Sequence, residues 1–179
     1  MEKVLFTEEQ RFKSTFVWLI MFPSWAVINV ILGIGIYKQI ILGKPWGDEP
    51  MSDLGLIGVT LGVNLIIIGI LFLMLKTKMV IQIRDKGLFY KYPPFIIREK
   101  KISPEEIERY EVRQYKPLQE YGGWGIRQRH KWRRNIGVAY NVSGNIGLQL
   151  YLKNGKKILL GTQRKAAIGS AMAKMMNEN

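Results

Sequence analysis

The sequence predicts an α+β membrane protein: a transmembrane two-helix hairpin, then a small β-barrel or sandwich closed by a C-terminal α-helix. Three observations predict it. Residues 15–37 and 54–75 form two long apolar runs with no ionisable side chain. Beyond them, turn residues separate short segments of β-type alternation, the signature of a small all-β module. The chain then switches to helical spacing near its end.

The composition narrows the chemistry first. The 179 residues carry 27 Lys+Arg against 14 Asp+Glu, a formal charge of +13, with no cysteine and a single histidine, His130. A disulfide framework, a thiolate nucleophile, a cysteine-ligated zinc and a histidine-pair metal site are thereby excluded. No cofactor is expected.

The segments follow in order: a short N-terminal segment (1–14), a first span (15–37), a loop (38–53), a second span (54–75) and a domain (76–179). At 1.5 Å per residue each apolar run is about 33–35 Å long, enough to cross a hydrocarbon core of about 30 Å. A cleavable signal peptide does not fit the first run, which is too long and is followed by a second. Basic residues orient the hairpin. Lys3, Arg11 and Lys13 precede it, the loop has Lys38 and Lys44 against Asp48, Glu49 and Asp53, and residues 76–179 hold 22 Lys+Arg against 8 Asp+Glu, a net of +14. Both termini are expected in the cytoplasm, the acidic loop outside, and the chain as a multi-pass protein of the cell (inner) membrane. Trp18, Trp25 and Trp46 are candidate interface anchors, Trp25 the deepest.

Within the hairpin, Gly55, Gly58, Gly62 and Gly69 share one face of the second span, and Gly58 with Gly62 makes a GxxxG pair. Ala26, Asn29 and Gly33 share a face of the first, so these two faces are expected to meet. Asn64 and Thr60 then lie opposite the glycines, where Asn64 either meets another subunit of a homo-oligomer or bonds a local backbone carbonyl. Pro23 removes one backbone hydrogen bond from the first span and is expected to kink it.

In the domain, residues 79–84 alternate and turn through Asp85-Lys86-Gly87 into residues 88–92, which Pro93-Pro94 ends. Residues 96–102 read as a strand, followed by a short helical turn capped by Ser103 with Pro104 at its first position. Residues 109–115, 137–141, 146–152 and 156–160 complete about seven strands. Asn154-Gly155 predicts a type I′ hairpin, with positive φ at both central residues. Residues 164–176 then form a helix with Thr162 as N-cap and an apolar stripe of Ala167, Ile168, Ala171, Met172, Met175 and Met176.

The succession YGGWGIR (121–127), AYNVSGNIGLQLYLKNGKK (139–157) and ILLGTQR (158–164), behind a two-helix hairpin, resembles bacterial membrane-anchored pleckstrin-homology-like (PH-like) proteins of unknown function. The resemblance implies a PH-like fold following the hairpin, and brings no catalytic residue with it. PH domains that bind phosphoinositides use basic residues in the first β-hairpin loop. The corresponding turn here, Arg84-Asp85-Lys86-Gly87, is short and half neutralised, so that activity does not carry over.

The densest charge is at residues 127–134, where Arg127, Arg129, Lys131, Arg133 and Arg134 surround Trp132. These six residues are the candidate contact with anionic lipid headgroups, each basic residue worth about 1 kcal/mol near such a surface. Nucleic acid is the rival for a basic, aromatic cluster, but no helix-turn-helix, zinc-finger or RNP-type motif accompanies it. The glycines of Gly122-Gly123-Trp124-Gly125 lack the context of a phosphate loop and read as a tight turn, with Trp124 packed into the domain. Gly161-Thr162-Gln163-Arg164 offers helix N-terminal amides to an anion, although capping alone accounts for it. His130 has no neighbouring carboxylate, and Glu105, Glu106, Glu108 and Glu111 read as a solvated face, so no enzyme is expected. The expected role is a membrane-tethered cytoplasmic interaction module that binds a protein partner, an anionic membrane surface or both. The alternative is an anionic-lipid sensor built on residues 127–134.

Overall fold

The computed structural model describes residues 3–12, 15–128 and 137–177. The chain divides into two units, Lys13–Leu75 and Met1–Phe12 together with Lys76–Asn179.

The first unit is the helical hairpin. Helix α1 (Thr15–Ile36) continues through a π-helical turn at Tyr37–Ile41, and α2 (Asp53–Lys76) returns. Both are long and apolar enough to cross a membrane. Pro23 lies inside α1 without ending it. The N-terminus of α2 is capped by Ser52, whose Oγ accepts the Gly55 N–H at 3.2 Å, and Asp53 sits in the first turn, where a carboxylate complements the helix dipole. Gln39 fastens the loop by donating to Met51 O (2.7 Å) and Asp53 Oδ1 (2.8 Å).

The helices use a different face of α2 from the expected one. Asn64 Oδ1 accepts the Trp25 indole N–H at 2.8 Å, and Asn64 Nδ2 donates to Asn29 Oδ1 at 3.0 Å. Thr60 bonds back to Leu56 O, and Leu56 is fully buried. Gly58, Gly62 and Gly69, and Gly33 on α1, have nothing within 4 Å of where a Cβ would stand; Gly55 meets only its own cap, Met51 and Ser52. Ala26 is exposed. Of the expected contact set, Asn29 alone takes part in these hydrogen bonds. The reason is energetic: an amide on an apolar helix costs more unpaired than a small-residue approach gains. Asn64 thus finds hydrogen-bond partners inside the hairpin, including the local carbonyl of Thr60 at 2.9 Å. The glycine that permits close approach is Gly35, where a Cβ would lie 2.5 Å from the Trp46 ring.

The second unit holds two sheets and a helix. Strands β1 (Val4–Arg11), β2 (Lys78–Arg84), β3 (Gly87–Tyr92) and β4 (Ile96–Ile102) form an antiparallel sheet in that order. The other sheet has the order β5-β8-β9-β7-β6, from β5 (Ile107–Gln114), β6 (Gly125–Gln128), β7 (Val138–Asn141), β8 (Ile146–Leu152) and β9 (Lys157–Gly161), with β7 and β9 parallel. Helix α3 (Lys165–Asn177) follows. Among the described residues there are nine strands: the seven expected, plus β1 and β6.

β1 changes the architecture. It pairs with β2 from Val4↔Arg84 to Arg11↔Lys78, so the hairpin is inserted between two neighbouring strands rather than placed ahead of the domain. The sequence conceals this strand because its inward positions are Phe6, Glu8 and Gln10, two of them polar. Alternation of apolar residues is therefore missing where burial alternates.

The core is built by inward residues of both sheets and one stripe of α3: Met79, Ile81, Ile83, Leu88 and Tyr90 from one sheet, Leu148, Leu150 and Leu160 from the other, and Ile168, Ala171, Met172 and Met175 from the helix. Ala167 and Met176 pack at its border, as the apolar stripe predicts. The β8–β9 turn differs from expectation. Gly155 has φ 79°, no non-glycine residue among the described residues has positive φ, and the Gly155 N–H closes on Leu152 O at 2.8 Å. Asn154 instead accepts the Lys156 N–H with its side chain (3.0 Å), so the loop is one residue longer than a type I′ turn and only glycine takes the left-handed position.

Candidate functional site

The segment between β5 and β6 forms a concavity on the domain's described surface. After Gln114 the chain turns through Pro117–Tyr121, then through Gly122, Gly123 and Gly125, all at positive φ (74°, 124° and 108°), into β6. Only glycine takes such a succession without strain. The result is a cavity of about 640 Å³ lined by Tyr115, Lys116, Leu118, Glu120, Trp124 and Asn145 among others. Its rim is apolar: Leu118 is 67% exposed and Trp124 41% exposed. Trp124 is held by its indole N–H, which donates to Gly144 O at 2.9 Å, so it is a surface residue rather than the packed one expected.

A polar network beneath this rim fixes it. Arg113 donates to Glu120 Oε2 at 2.7 Å and to Gln149 Oε1 at 3.1 Å, and Glu120 Oε1 accepts the Lys116 N–H at 2.8 Å. Burial opposes ionisation of Glu120, but the Arg113 guanidinium and the Lys116 N–H outweigh it and hold its carboxyl below the usual range. Tyr121 donates to Gln149 Oε1 (3.2 Å) and stands edge-on to Tyr115 at 5.9 Å. Buried Asn141 donates to the Tyr115 hydroxyl at 2.8 Å and accepts the Gly125 N–H at 2.8 Å, tying the turn to β7. Burial pushes the Tyr115 phenol up to about 12, so it stays neutral in this network. None of these residues was legible as a site. The paired glycines mark a turn, but nothing in the sequence marks what it encloses.

Of the expected lipid contacts, Arg127 lies in β6, opposite Ala139, and its Nε donates to Trp124 O at 2.8 Å. Arg129, Lys131, Trp132, Arg133 and Arg134 lie outside the described residues, as does His130. Along the strand leading to them, Trp124, Ile126 and Arg127 are surface residues, so apolar and cationic side chains share this approach.

The amides before α3 have an anion of their own. Glu8 of β1 is 7% exposed; it accepts the Thr162 hydroxyl at 2.6 Å and the Gln163 N–H at 2.8 Å, while the Thr162 hydroxyl takes the Arg164 N–H at 3.0 Å. An internal carboxylate fills the place where an external anion was considered. Among the described residues no three His, Asp or Glu side chains gather as a metal site. No protein-family model, curated protein or solved structure matches the chain.

Proposed function

We propose that the chain is a membrane-tethered module: the helical hairpin crosses the bilayer twice and holds a basic, PH-like domain on the cytoplasmic face, where it binds a protein partner. The observation that carries this reading is the pairing of β1 with β2 on either side of the hairpin. The chain leaves one folded domain and returns to it, so both ends of the hairpin belong on one side, as two crossings require. The exposed apolar surface of both helices supports the crossing, since such surface is costly in water. The excess of basic residues in the domain supports the cytoplasmic side. Two sheets capped by a C-terminal helix support a PH-like scaffold. The Leu118–Trp124 rim over a rigid network has the make-up of a surface that receives an apolar side chain of a partner.

Photo-crosslinking tests it. A photoreactive residue at Leu118 in the full-length chain should give a discrete adduct with another membrane or cytoplasmic protein in native membranes. The same probe at Lys153, an exposed residue of the β8–β9 turn, serves as reference. Identical adduct patterns at both positions would contradict the partner reading. A second reading, contact of residues 127–134 with anionic lipid, is favoured by the joint exposure of Trp124, Ile126 and Arg127 ahead of that segment. It predicts lipid adducts that vanish when Arg127, Arg129, Lys131, Arg133 and Arg134 are neutralised.

A further inference from the structure

The β3–β4 turn carries exposed apolar side chains whose place in the fold identifies what they meet. Phe95 is 62% exposed and Ile97 is 73% exposed, on a domain whose other large apolar residues are mostly buried. Phe95 touches the Tyr92 ring at a centroid distance of 6.4 Å and is otherwise turned outward. β4 is an edge strand, and Arg98 on it is exposed close to this apolar tip, whereas Lys100 and Lys101 lie towards its other end, where Lys101 pairs with Phe89. An exposed apolar point with Arg98 beside it and Lys78 against the turn has the composition of an element that lies in a membrane interface.

Connectivity supplies the location. The Lys78 N–H donates to Pro93 O at 3.1 Å, so the turn stands against the first residue of β2. Lys78 is also the partner of Arg11, the last residue of β1. This end of the sheet is therefore where the chain departs for the hairpin and comes back. A single residue, Thr77, separates Lys78 from the last residue of α2, Lys76. At 3.8 Å between successive Cα atoms, Lys78 lies within about 8 Å of that helix end whatever the direction of the link. The opposite end of the sheet, the Asp85-Lys86 turn, is about 20 Å further along β2, at about 3.3 Å per residue.

We propose that the Pro93-Pro94-Phe95 turn, with Ile97 beside it, is the domain's contact with the bilayer surface, Phe95 entering the boundary between headgroups and acyl chains. The inference rests on the transmembrane reading of the hairpin. The contact restricts how the domain turns on its short links and sets which of its surfaces face the cytoplasm.

The cysteine-free chain permits a direct test. Single variants Phe95→Cys, Lys86→Cys and Leu65→Cys of the full-length protein are labelled with an environment-sensitive fluorophore. They are reconstituted in vesicles of phosphatidylcholine and phosphatidylglycerol, with and without acyl-chain bromine as quencher. Leu65 is an exposed residue of α2 and reports the span itself. The expected result is strong quenching at position 65, quenching several-fold greater at 95 than at 86, and a blue-shifted emission at 95. Ile97→Cys should follow position 95 and lose its quenching when Phe95→Asp is added. A water-like signal at both 95 and 97, with position 65 quenched, overturns the inference and leaves the hairpin reading intact. No quenching at position 65 overturns both. Blue-shifted emission at 95 without bromine quenching assigns the turn to another copy of the chain and also overturns it.

Discussion

A buried carboxylate is tolerated only where donors meet its oxygens, and Glu8 is placed where three residues do so: Thr162, Gln163 and Gln10. Gln10 also donates to Gly161 O at 2.7 Å, and Arg164 reaches back to Thr7 O at 3.2 Å, so one strand clasps the approach to α3 from both sides. Glu8→Ala leaves the Thr162 hydroxyl and the Gln163 N–H without this acceptor. It should cost about 1–3 kcal/mol for each orphaned group, read as a lower denaturation midpoint of the detergent-solubilised chain. A midpoint within error of the parent would show that water replaces the carboxylate. Glu120 makes a prediction in pH. Its folded-state value is held below 4.5, so its contribution is complete above about pH 4.5 and is lost as pH falls through the lowered value. Glu120→Gln should therefore be less stable than the parent at neutral pH, with the gap closing in acid. A gap that does not change with pH would remove the Arg113 ion pair from the account.

The elements differ in how far their sequences announce them. β2, β3 and β8 are short runs rich in apolar and aromatic residues, buried over most of their length and bounded by turn residues, so pattern and turn chemistry agree. α3 shows its stripe because one face alone meets the core. β1 fails the same test: its burial alternates, but Glu8 and Gln10 occupy inward places and are paid for by partners more than 150 residues away. β6 fails because its residues Gly125 and Arg127 read as the end of a glycine turn and the start of a basic loop. In the hairpin, small-residue spacing pointed to the glycine face, whereas three hydrogen-bonding side chains, Trp25, Asn29 and Asn64, chose the opposite one. Polar pairing over long sequence distance is invisible to local periodicity. The same fact yields a prediction about fragments. Residues 76–179 alone lack β1, expose the edge of β2 and leave the α3 approach without Glu8, so that fragment should aggregate or melt early. Joining Met1–Phe12 directly to Lys76–Asn179 by a short turn restores an ordinary antiparallel pair and should give a soluble, cooperatively folding domain. Equal solubility and melting of the two fragments would contradict the structural role of β1.

For the molecule as a whole, the two units divide the work. The hairpin has apolar surface and an internally satisfied polar triad; the domain has the charge, the buried core and the concave rim at Leu118 and Trp124. Sheet pairing across the insertion makes the domain depend on the strands at both ends of the hairpin, and the proposed tether interrupts the fold it would hold. Side-specific labelling of single cysteines in intact cells tests this most directly, with Asp48→Cys in the connecting loop and Lys86→Cys in the domain probed by a membrane-impermeant maleimide. The account predicts that position 48 reacts in sealed cells and position 86 reacts only after permeabilisation. Reaction of both positions from the same side would contradict it.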